Sequence, residues 1–289
     1  MPITITTAIP ETRDAVMAAR RAGKRVGFVP TMGALHAGHA SLIQAARREC
    51  DYVAVSIFVN PTQFGPHEDL SRYPRPFEAD VALCDREGVD LIFHPTPEVM
   101  YPPGFKTFVE VTALQDPLCG ASRPGHFRGV ATVVLKLFHI VPAHVAYFGQ
   151  KDAQQARLLQ QMVRDLDVPI ELRLCPIVRE PDGLALSSRN VYLSPTERQH
   201  ATVLFRTLEA MRTRIEAGKR RAEPLVRMAT QMIADTPGAR VDYVAIVNFE
   251  TLQPVEHLEG EVLFALAVYF GKTRLIDNMI VTLPMMGRG

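Results

Sequence analysis

The chain has 289 residues, of which 47% are hydrophobic and 22% are charged, and its formal net charge is +1. This length suits two domains, although one large domain is also possible, and the balanced charge gives no overall field that would attract nucleic acid or an acidic membrane. The first residues show no signal-peptide pattern, charged residues and proline interrupt the most apolar window (129–148), and the four cysteines form no CxxC pair. We therefore expect a soluble, cytoplasmic protein with reduced thiols that binds neither nucleic acid nor a membrane.

Residues 1–177 alternate short apolar strands with helices. The predicted strands cover 3–7, 26–29, 52–59, 89–93, 108–111, 145–148 and 170–177, and the predicted helices cover 9–23, a stretch from residue 40, 76–87, 130–141 and a stretch after residue 152. We expect Pro30 to end the second strand, Gly23 to end the first helix and Asp152 to cap the helix that follows it. This alternation predicts an α/β fold with a doubly wound parallel sheet and helices on both faces.

Residues 178–289 do not continue the strand–helix alternation of 1–177, and their pattern predicts a smaller α+β domain. Ser194, Pro195 and Glu197 have the spacing of a capped helix start. Predicted helices at 195–217 and 222–235 precede two strands, at 241–247 and 262–269, and the tail 284–289 is expected to be disordered. We therefore predict two domains, 1–177 and 178–289.

The stretch 26–41 combines a buried strand, a turn with glycines and two histidines, and a helix start. Backbone N–H groups at a helix start are unpaired and partly positive, glycines let an anion come close, and imidazoles add donors. The pattern favours phosphate binding at His36 and His39, but a strand–glycine–helix turn is also ordinary connecting structure. Zinc is disfavoured because no further Cys or Glu lies nearby at a suitable spacing.

Four separate segments carry the polar side chains best suited to chemistry, namely 30–39, 60–64, 149–155 and 186–190. The first three follow predicted strands. Because ligands of such sheets bind outside the carboxyl ends of the strands, we expect these turns to share one crevice. Their imidazoles, amides, ammonium, guanidinium and hydroxyls suit a polyphosphate next to a small polar substrate.

Together with TTAIPETR, EDLSRYPR, MYPPGF, GHFRGVATVV and YFGKTRLIDN, these segments resemble the pantothenate synthetase (pantoate–β-alanine ligase) family over most of the chain. The resemblance implies a Rossmann-like nucleotidyltransferase fold whose His-x-x-His turn binds ATP. It also implies that (R)-pantoate attacks the α-phosphorus of ATP to give pantoyl adenylate and pyrophosphate, after which β-alanine displaces AMP to give pantothenate. Mg²⁺ is expected to accompany the ATP, and the resemblance implies a homodimer.

The resemblance assigns roles to the matching residues of this chain. The expected ATP-binding residues are Met32, Gly33, Ala34, Leu35, His36, Ala37, Gly38, His39, Gly149, Gln150, Lys151, Asp152, Val178, Leu186, Ser187, Ser188 and Arg189. The expected catalytic residues are His36, His39, Lys151, Ser187, Ser188 and Arg189, and Gln63 and Gln155 are expected to bind pantoate, with Gln63 also near β-alanine. The metal ligands are left open.

Further segments match the family with less defined roles. Tyr73 and Arg75 match a segment that covers the site, and Arg123, His126 and Arg128 match a basic loop. Leu186 stands where the family usually has Met, a change that nearly keeps the side-chain volume.

Two other functions would use much of the same pattern. A nucleotide adenylyltransferase would share the histidine turn and the SSR triplet but has no need for Gln63 and Gln155. A nucleotide-binding regulator without activity would be expected to have lost His39 or Lys151, and both are present. These differences favour the ligase.

Overall fold

A computed structural model describes residues 3–66 and 68–285. Its strands are β1 (Thr4–Thr6), β2 (Val26–Thr31), β3 (Tyr52–Ile57), β4 (Leu91–Phe93), β5 (Val145–Gly149), β6 (Glu171–Cys175), β7 (Ala239–Asn248), β8 (Gly260–Phe270) and β9 (Thr273–Leu283). Its helices are α1 (Ile9–Arg21), α2 (Ala37–Glu49), α3 (Phe77–Arg86), α4 (Pro97–Met100), α5 (Cys119–Ser122), α6 (His126–Ile140), α7 (Ala153–Asp165), α8 (Pro195–His200), α9 (Val203–Glu216) and α10 (Ala222–Ala234). Of the tail predicted to be disordered, residues 286–289 lie outside the described residues.

Strands β1 to β6 form one parallel sheet in the order β1-β4-β3-β2-β5-β6. Neighbouring residues of its central strands enter different apolar cores: Phe28 and Ala54 pack in one, and Val29 and Val55 in the other. Both faces are therefore covered by helices, as the unbroken apolar runs of these strands require. The predicted α/β fold with a doubly wound parallel sheet is confirmed.

Several local predictions for this half need correction. Pro30 does not end β2, which continues to Thr31 with Pro30 opposite Ser56. Proline is tolerated there because β2 pairs with β5 only at Gly27 and Phe28, so no ladder bond to β5 is lost. Residues 108–111 form no strand within the described part of the chain.

Two predicted helix signals have different outcomes. Gly23 follows α1 with a φ of 78°, a left-handed conformation suited to glycine, and this prediction is confirmed. Asp152 lies at the N-cap position of α7, but its side chain makes no capping hydrogen bond, so the predicted cap is wrong.

The later part of the chain forms an antiparallel sheet, β7-β8-β9, flanked by helices. The capped helix start at Ser194 is confirmed, since its hydroxyl accepts from the Glu197 N–H and the Glu197 carboxylate accepts from the Ser194 N–H. Predicting only two strands was wrong. In the missed strand, β9, the polar residues Asp277 and Asn278 interrupt the apolar residues in the middle, so the strand signal is weak.

The antiparallel sheet lies between two packed layers. Val262, Phe264 and Leu266 of β8 belong to a core with α9 and α10, whereas Leu263 and Ala265 belong to the core of the parallel sheet. The middle of the small sheet is thus held against the edge that carries the candidate site. No helix among the described residues has the length and apolarity to cross a bilayer.

Candidate active site

A cavity of about 240 Å³ opens beyond the carboxyl ends of β2, β3, β5 and β6. Polar and apolar residues from all four predicted segments line it. The residues of the predicted site that line it are Met32, His36, Gly38, His39, Gln63, Gly149, Lys151, Asp152, Gln155, Val178, Leu186, Ser187, Ser188 and Arg189. Segments far apart in the sequence therefore meet in one crevice.

The two histidines form the start of α2. His36 is its N-cap residue, and its Nδ1 accepts a hydrogen bond from the Gly38 N–H (3.1 Å). His39 Nδ1 in turn accepts from the His36 N–H (3.3 Å), and the two rings lie 4.2 Å apart. Because both Nδ1 atoms accept, each neutral ring carries its proton on Nε2.

Both imidazoles are neutral at physiological pH. Burial, followed by the charge of Lys151, lowers the pKa of His36 from 6.5 to about 4. Burial, followed by His36 and Lys151, lowers the pKa of His39 from 6.5 to about 3. The two rings therefore present neutral N–H donors to the cavity they line.

The turn before the histidines is held from below by a buried carboxylate. Asp80 of α3 is 2% exposed, and its two oxygens accept from the N–H groups of Ala34 (2.9 Å) and Leu35 (2.7 Å). Gly33 is needed here, since its φ is 80° and a Cβ would lie 2.9 Å from an Asp80 oxygen. Asp80 could not be found from the sequence, because no spacing connects it to the turn.

The side-chain amides of Gln63 and Gln155, which are predicted to bind substrate, line the same cavity but are held to different extents. Gln63 Oε1 accepts from Asn60 Nδ2 (3.0 Å), while Gln63 Nε2 donates to the Met32 sulfur (3.1 Å), a weak acceptor. Asn60 is 1% exposed and also donates to the Gly129 carbonyl (3.2 Å), so it fixes the Gln63 turn. The Gln155 amide and the Lys151 ammonium make no hydrogen bond or ion pair within the described chain, which leaves them available to a ligand in the cavity they line.

The Ser187–Arg189 segment crosses over the histidine turn. Ser187 Oγ accepts from the Arg189 N–H (3.2 Å), and Ser188 Oγ donates to the Ala34 carbonyl (3.1 Å). The Arg189 guanidinium forms a two-bond ion pair with Asp69, at 2.9 Å for each bond. Burial alone would raise the pKa of Asp69, but the hydrogen-bonded guanidinium of Arg189 lowers it.

A second arginine binds residues 68–75, here called the covering loop, on the side of the cavity where Gln63 lies. Arg123 donates two bonds of 2.6 Å to Glu68, and its Nη1 lies 3.0 Å from His126 Nε2. His126 Nδ1 donates to the Gln63 carbonyl (2.8 Å), and burial, followed by Arg123, lowers the pKa of His126 to about 4. Glu68 and Asp69 therefore connect the covering loop to both sides of the cavity.

Not every predicted residue lines the cavity. Gly33, Ala34, Leu35, Ala37 and Gln150 lie behind its wall, where the backbone of the first three shapes the turn. Of the residues with less defined roles, Tyr73, Arg123 and His126 line the cavity. Arg75 bonds to backbone carbonyls of the covering loop, and Arg128 lies beside Glu110 and Phe108.

Metal binding by protein residues alone has little support in this geometry. Across residues 3–66 and 68–285, no three or more His, Cys, Asp or Glu side chains group as ligands. Asp152 is a carboxylate of the cavity wall and is next to Lys151, whose ammonium has no partner among the described residues. One carboxylate together with substrate phosphates fits Mg²⁺, which keeps several waters, better than it fits zinc.

The fold and the cavity define a class of protein: an α/β enzyme with neutral histidine N–H donors at a helix start and neutral amides beside them. A sequence model of the pantoate-beta-alanine ligase family matches residues 4–280. The pantothenate synthetase of Thermotoga neapolitana is 57% identical over 91% of this chain and 94% of its own length, and that of Caldicellulosiruptor saccharolyticus is 53% identical over 94% and 97%.

Solved structures agree with the sequences. The pantothenate synthetase of Thermus thermophilus matches with a TM-score of 0.91 at 48% identity, covering 96% of this chain and 99% of that one. The pantoate-beta-alanine ligase of Francisella tularensis, complexed with beta-gamma ATP and beta-alanine, matches with a TM-score of 0.79 at 36% identity, covering 96% and 97%. The chain belongs to the pantoate–β-alanine ligase family, and it is a ligase of pantothenate biosynthesis.

Proposed function

We propose that this cavity joins (R)-pantoate to β-alanine in two steps that use ATP. In the first, a pantoate carboxylate oxygen attacks the α-phosphorus, the bond to the bridging oxygen breaks, and pyrophosphate leaves with that electron pair. In the second, the β-alanine amine attacks the acyl carbon of pantoyl adenylate, AMP leaves, and the amine loses a proton. The products are pantothenate, AMP and pyrophosphate.

The observation that carries the proposal is the placement of amide donors beside the histidines and Lys151, where the Gln155 amide has no hydrogen-bond partner among the described residues. Gln155 and the Nε2 of Gln63 line the same cavity as His36, His39 and Lys151. Neutral amides hold hydroxyl and carboxylate oxygens without adding charge, so they suit pantoate better than a second phosphate. An adenylyltransferase has no use for this arrangement.

The histidines would act as neutral hydrogen-bond donors. Their pKa values of about 4 and about 3 leave little imidazolium at pH 7, and both Nδ1 atoms are occupied by backbone donors. Nε2–H groups aimed at phosphate oxygens stabilise the charge that develops there without transferring a proton. Pyrophosphate leaves without needing one.

Lys151 and the Ser187–Arg189 segment would hold the phosphates from the other side. The Lys151 ammonium has no competing carboxylate partner among the described residues, so its charge is free for ATP. Arg189 is bonded to Asp69, so the phosphates would share or replace that carboxylate. Mg²⁺ arriving with ATP would neutralise phosphate charge, with Asp152 as the nearest protein carboxylate on the wall.

The covering loop has a chemical purpose in this reaction. Acyl adenylates hydrolyse in water, so the intermediate must be shielded until the amine arrives. Arg123 and Arg189 each bind a carboxylate of the loop, and the Tyr192 hydroxyl donates to the Arg72 carbonyl (3.0 Å). The loop is thus attached on both sides of the cavity.

Substrate omission tests the proposed reaction. In a single turnover, pyrophosphate release should require ATP and pantoate but not β-alanine, and AMP release should follow when β-alanine is added. Formation of ADP, or pyrophosphate release without pantoate, would rule the sequence of steps out. For Gln155→Ala, we expect the pantoate KM to rise while ATP binding is retained.

We further propose that the protein is a homodimer paired through residues 106–111. The backbone N–H and C=O groups of Phe108 and Glu110 have no partner among the described residues, whereas the Val109 N–H is bonded to Thr132. Phe108 is 44% exposed, with Arg128 over its ring at 4.5 Å. Free backbone groups along one segment pair readily with those of an identical segment, and antiparallel pairing about Val109 would satisfy these groups in both copies.

The dimer can be tested by sedimentation. Glu110→Pro removes a backbone donor from this segment and should shift the protein toward monomer. Ile5→Lys on β1, an edge strand of the parallel sheet where Ile5 is 44% exposed, should not change the mass. A monomeric wild-type protein, or an unchanged mass for Glu110→Pro, would contradict this interface.

The division into domains 1–177 and 178–289 and the cytoplasmic location are also proposed. The change from a parallel to an antiparallel sheet supports the division. Limited proteolysis should cut first between residues 176 and 190 if this boundary is right, and cell fractionation tests the location.

A further inference from the structure

Two neighbouring residues in the middle of β9 each contact one of the two segments that face the proposed ATP phosphates. Asn278 contacts the turn Gln150–Asp152, and Asp277 contacts the strand-like stretch that leads into Ser187–Arg189. Both side chains are almost fully buried, with 2% exposure for Asp277 and 5% for Asn278. No role in the proposed reaction has yet been given to either.

Asn278 uses its whole amide on the Lys151 turn. Its Nδ2 donates to the carbonyls of Gln150 and Lys151, at 2.9 Å each, and its Oδ1 accepts from Gln150 Nε2 (3.3 Å). Two consecutive carbonyls are therefore fixed by one side chain. Because the Lys151 side chain branches from the residue between them, its direction into the cavity follows from this contact.

Asp277 makes an equally complete contact on the other side. Its carboxylate binds the Arg179 guanidinium through two hydrogen bonds, of 2.7 and 2.9 Å. Arg179 also donates to the Gly183 carbonyl (3.0 Å), and its backbone pairs with Ala185 in an antiparallel bridge. The hairpin that ends at Leu186 is therefore anchored to β9 immediately before the serines begin.

The position of these residues in the sheet makes the pair rigid. Asp277 lies opposite Leu266 and Asn278 opposite Ala265 on β8, in the middle of an unbroken antiparallel ladder. Consecutive residues of a strand project to opposite faces, so one strand can hold two loops that reach it from different sides. The distance between the two loops is then set by one backbone step.

We propose that Asp277 and Asn278 are positioning residues that fix the spacing between Lys151 and the Ser187–Arg189 segment. This inference rests on the proposed function, because that spacing matters only if both segments grip one triphosphate. Asn278 acts through Lys151, and Asp277 acts through the hairpin 179–185. An antiparallel strand outside the parallel sheet thus sets the geometry of the site.

The first test is Asn278→Asp, which keeps the shape of the side chain. It replaces two N–H donors with an oxygen that faces two carbonyls, so the Lys151 turn should move away. A displacement of about 1 Å costs roughly 100-fold in rate. We expect a loss of that order in single-turnover adenylation, with a smaller change in the ATP KM.

A double-mutant cycle separates positioning from general structural support. If Asn278 acts through Lys151, then Asn278→Asp should cause no further loss in a Lys151→Ala background. Asp277→Asn, which weakens the Arg179 contact, should multiply with Lys151→Ala because it acts on the other segment. Thr282→Ala, at an exposed position of the same strand, is the matched control and should keep the wild-type rate.

Each outcome decides the proposal. If Asn278→Asp keeps the wild-type rate while Lys151→Ala is impaired, this inference is overturned but the proposed function is not. The same holds if the rate loss of the double variant equals the product of the two single losses. A normal rate for Lys151→Ala would overturn the role of that lysine in the proposed function as well. If Asn278→Asp does not fold, Asn278→Ser keeps one donor and should show a smaller loss with the same dependence on Lys151.

Discussion

The histidine turn and the Ser187–Arg189 segment face the same cavity, but they are held in different ways. The turn is held largely by itself: His36 caps its own helix, and His39 accepts from the His36 N–H. The serine segment has local bonds to Ser187 from the Arg189 and Asn190 N–H groups, but the side chains of Ser188 and Arg189 bond to partners more than a hundred residues away. Local bonds give a rigid histidine turn, whereas distant ones give a segment whose position depends on other loops.

This difference suggests a division of labour. A preformed set of donors at the histidines costs little reorganisation when charge develops on the phosphorus. In the proposed reaction, Arg189 would exchange the Asp69 carboxylate for a phosphate when ATP binds. Substitutions in the turn should therefore reduce the rate of chemistry, while those around the segment should affect binding and closure.

The largest effect is expected for His39→Ala. Removing a donor aimed at developing charge costs about 100- to 1,000-fold in rate at comparable sites. Pyrophosphate release in a single turnover measures this loss, while ATP binding should change much less. His139→Ala, an exposed histidine on α6, serves as the control. A rate within a few-fold of wild type would remove His39 from the mechanism.

Asp80→Asn tests the distant contact on which the histidine turn does depend. The amide can accept from one of Ala34 and Leu35 but must point its NH₂ at the other N–H, which leaves a buried donor unpaired. Such a loss costs about 1–3 kcal/mol of stability, and we expect a fall in adenylation of roughly tenfold or more from the displaced turn.

Urea unfolding and single-turnover kinetics measure the two effects of Asp80→Asn together. Glu78→Gln, an exposed position on the same helix, is the control and should change neither. If the stability falls but adenylation stays normal, the turn is rigid without its carboxylate. The histidine turn would then depend on distant contacts even less than its hydrogen bonds indicate, and it would differ more from the serine segment.

Asp69→Asn should have a smaller effect and a different signature. Without its charge the covering loop is held less firmly, so we expect several-fold more AMP released without pantothenate when β-alanine is scarce. The ratio of AMP to pantothenate reports this leak. Asp85→Asn, at an exposed position of α3, should leave the ratio unchanged. A wild-type ratio for Asp69→Asn would mean that this ion pair does not hold the loop.

The smallest expected effect is that of pH on adenylation. His36 and His39 stay neutral down to about pH 5 because their pKa values are near 4 and 3, so the rate should be flat between about pH 5.5 and 8. An inflection near pH 6.5 would indicate an imidazolium acting as an acid, contrary to the proposed role.

Stability should respond to pH where the rate does not. A histidine whose folded pKa is lowered contributes stability that is present above its unfolded pKa of 6.5 and is lost as the pH falls toward the folded value. The urea midpoint should therefore drop between pH 7.5 and 5, and His126→Asn should reduce that drop. An equal drop in both proteins would exclude His126 as a contributor.

Much of this protein could be predicted without coordinates. Apolar runs such as 26–29 and 52–59 predicted buried parallel strands, and Ser194 with Glu197 predicted a helix start, because these signals are local and strong. The residues of the candidate site were found through motifs whose order along the chain is specific. Local chemistry and pattern therefore determined the fold class, the family and the set of polar residues.

Tertiary structure alone decided which partners hold those residues. The residues that hold the site lie far from it in the sequence: Asp80 binds the histidine turn, Asp69 binds Arg189, and Asn278 of β9 binds the Lys151 turn. β9 was missed because Asp277 and Asn278 interrupt its apolar residues. Such polar side chains are stable when buried only if a distant loop supplies their hydrogen bonds. Two residues that form a hydrogen bond only after folding show no fixed separation along the sequence. For this physical reason, the residues that hold the site in place could be identified only in the tertiary structure.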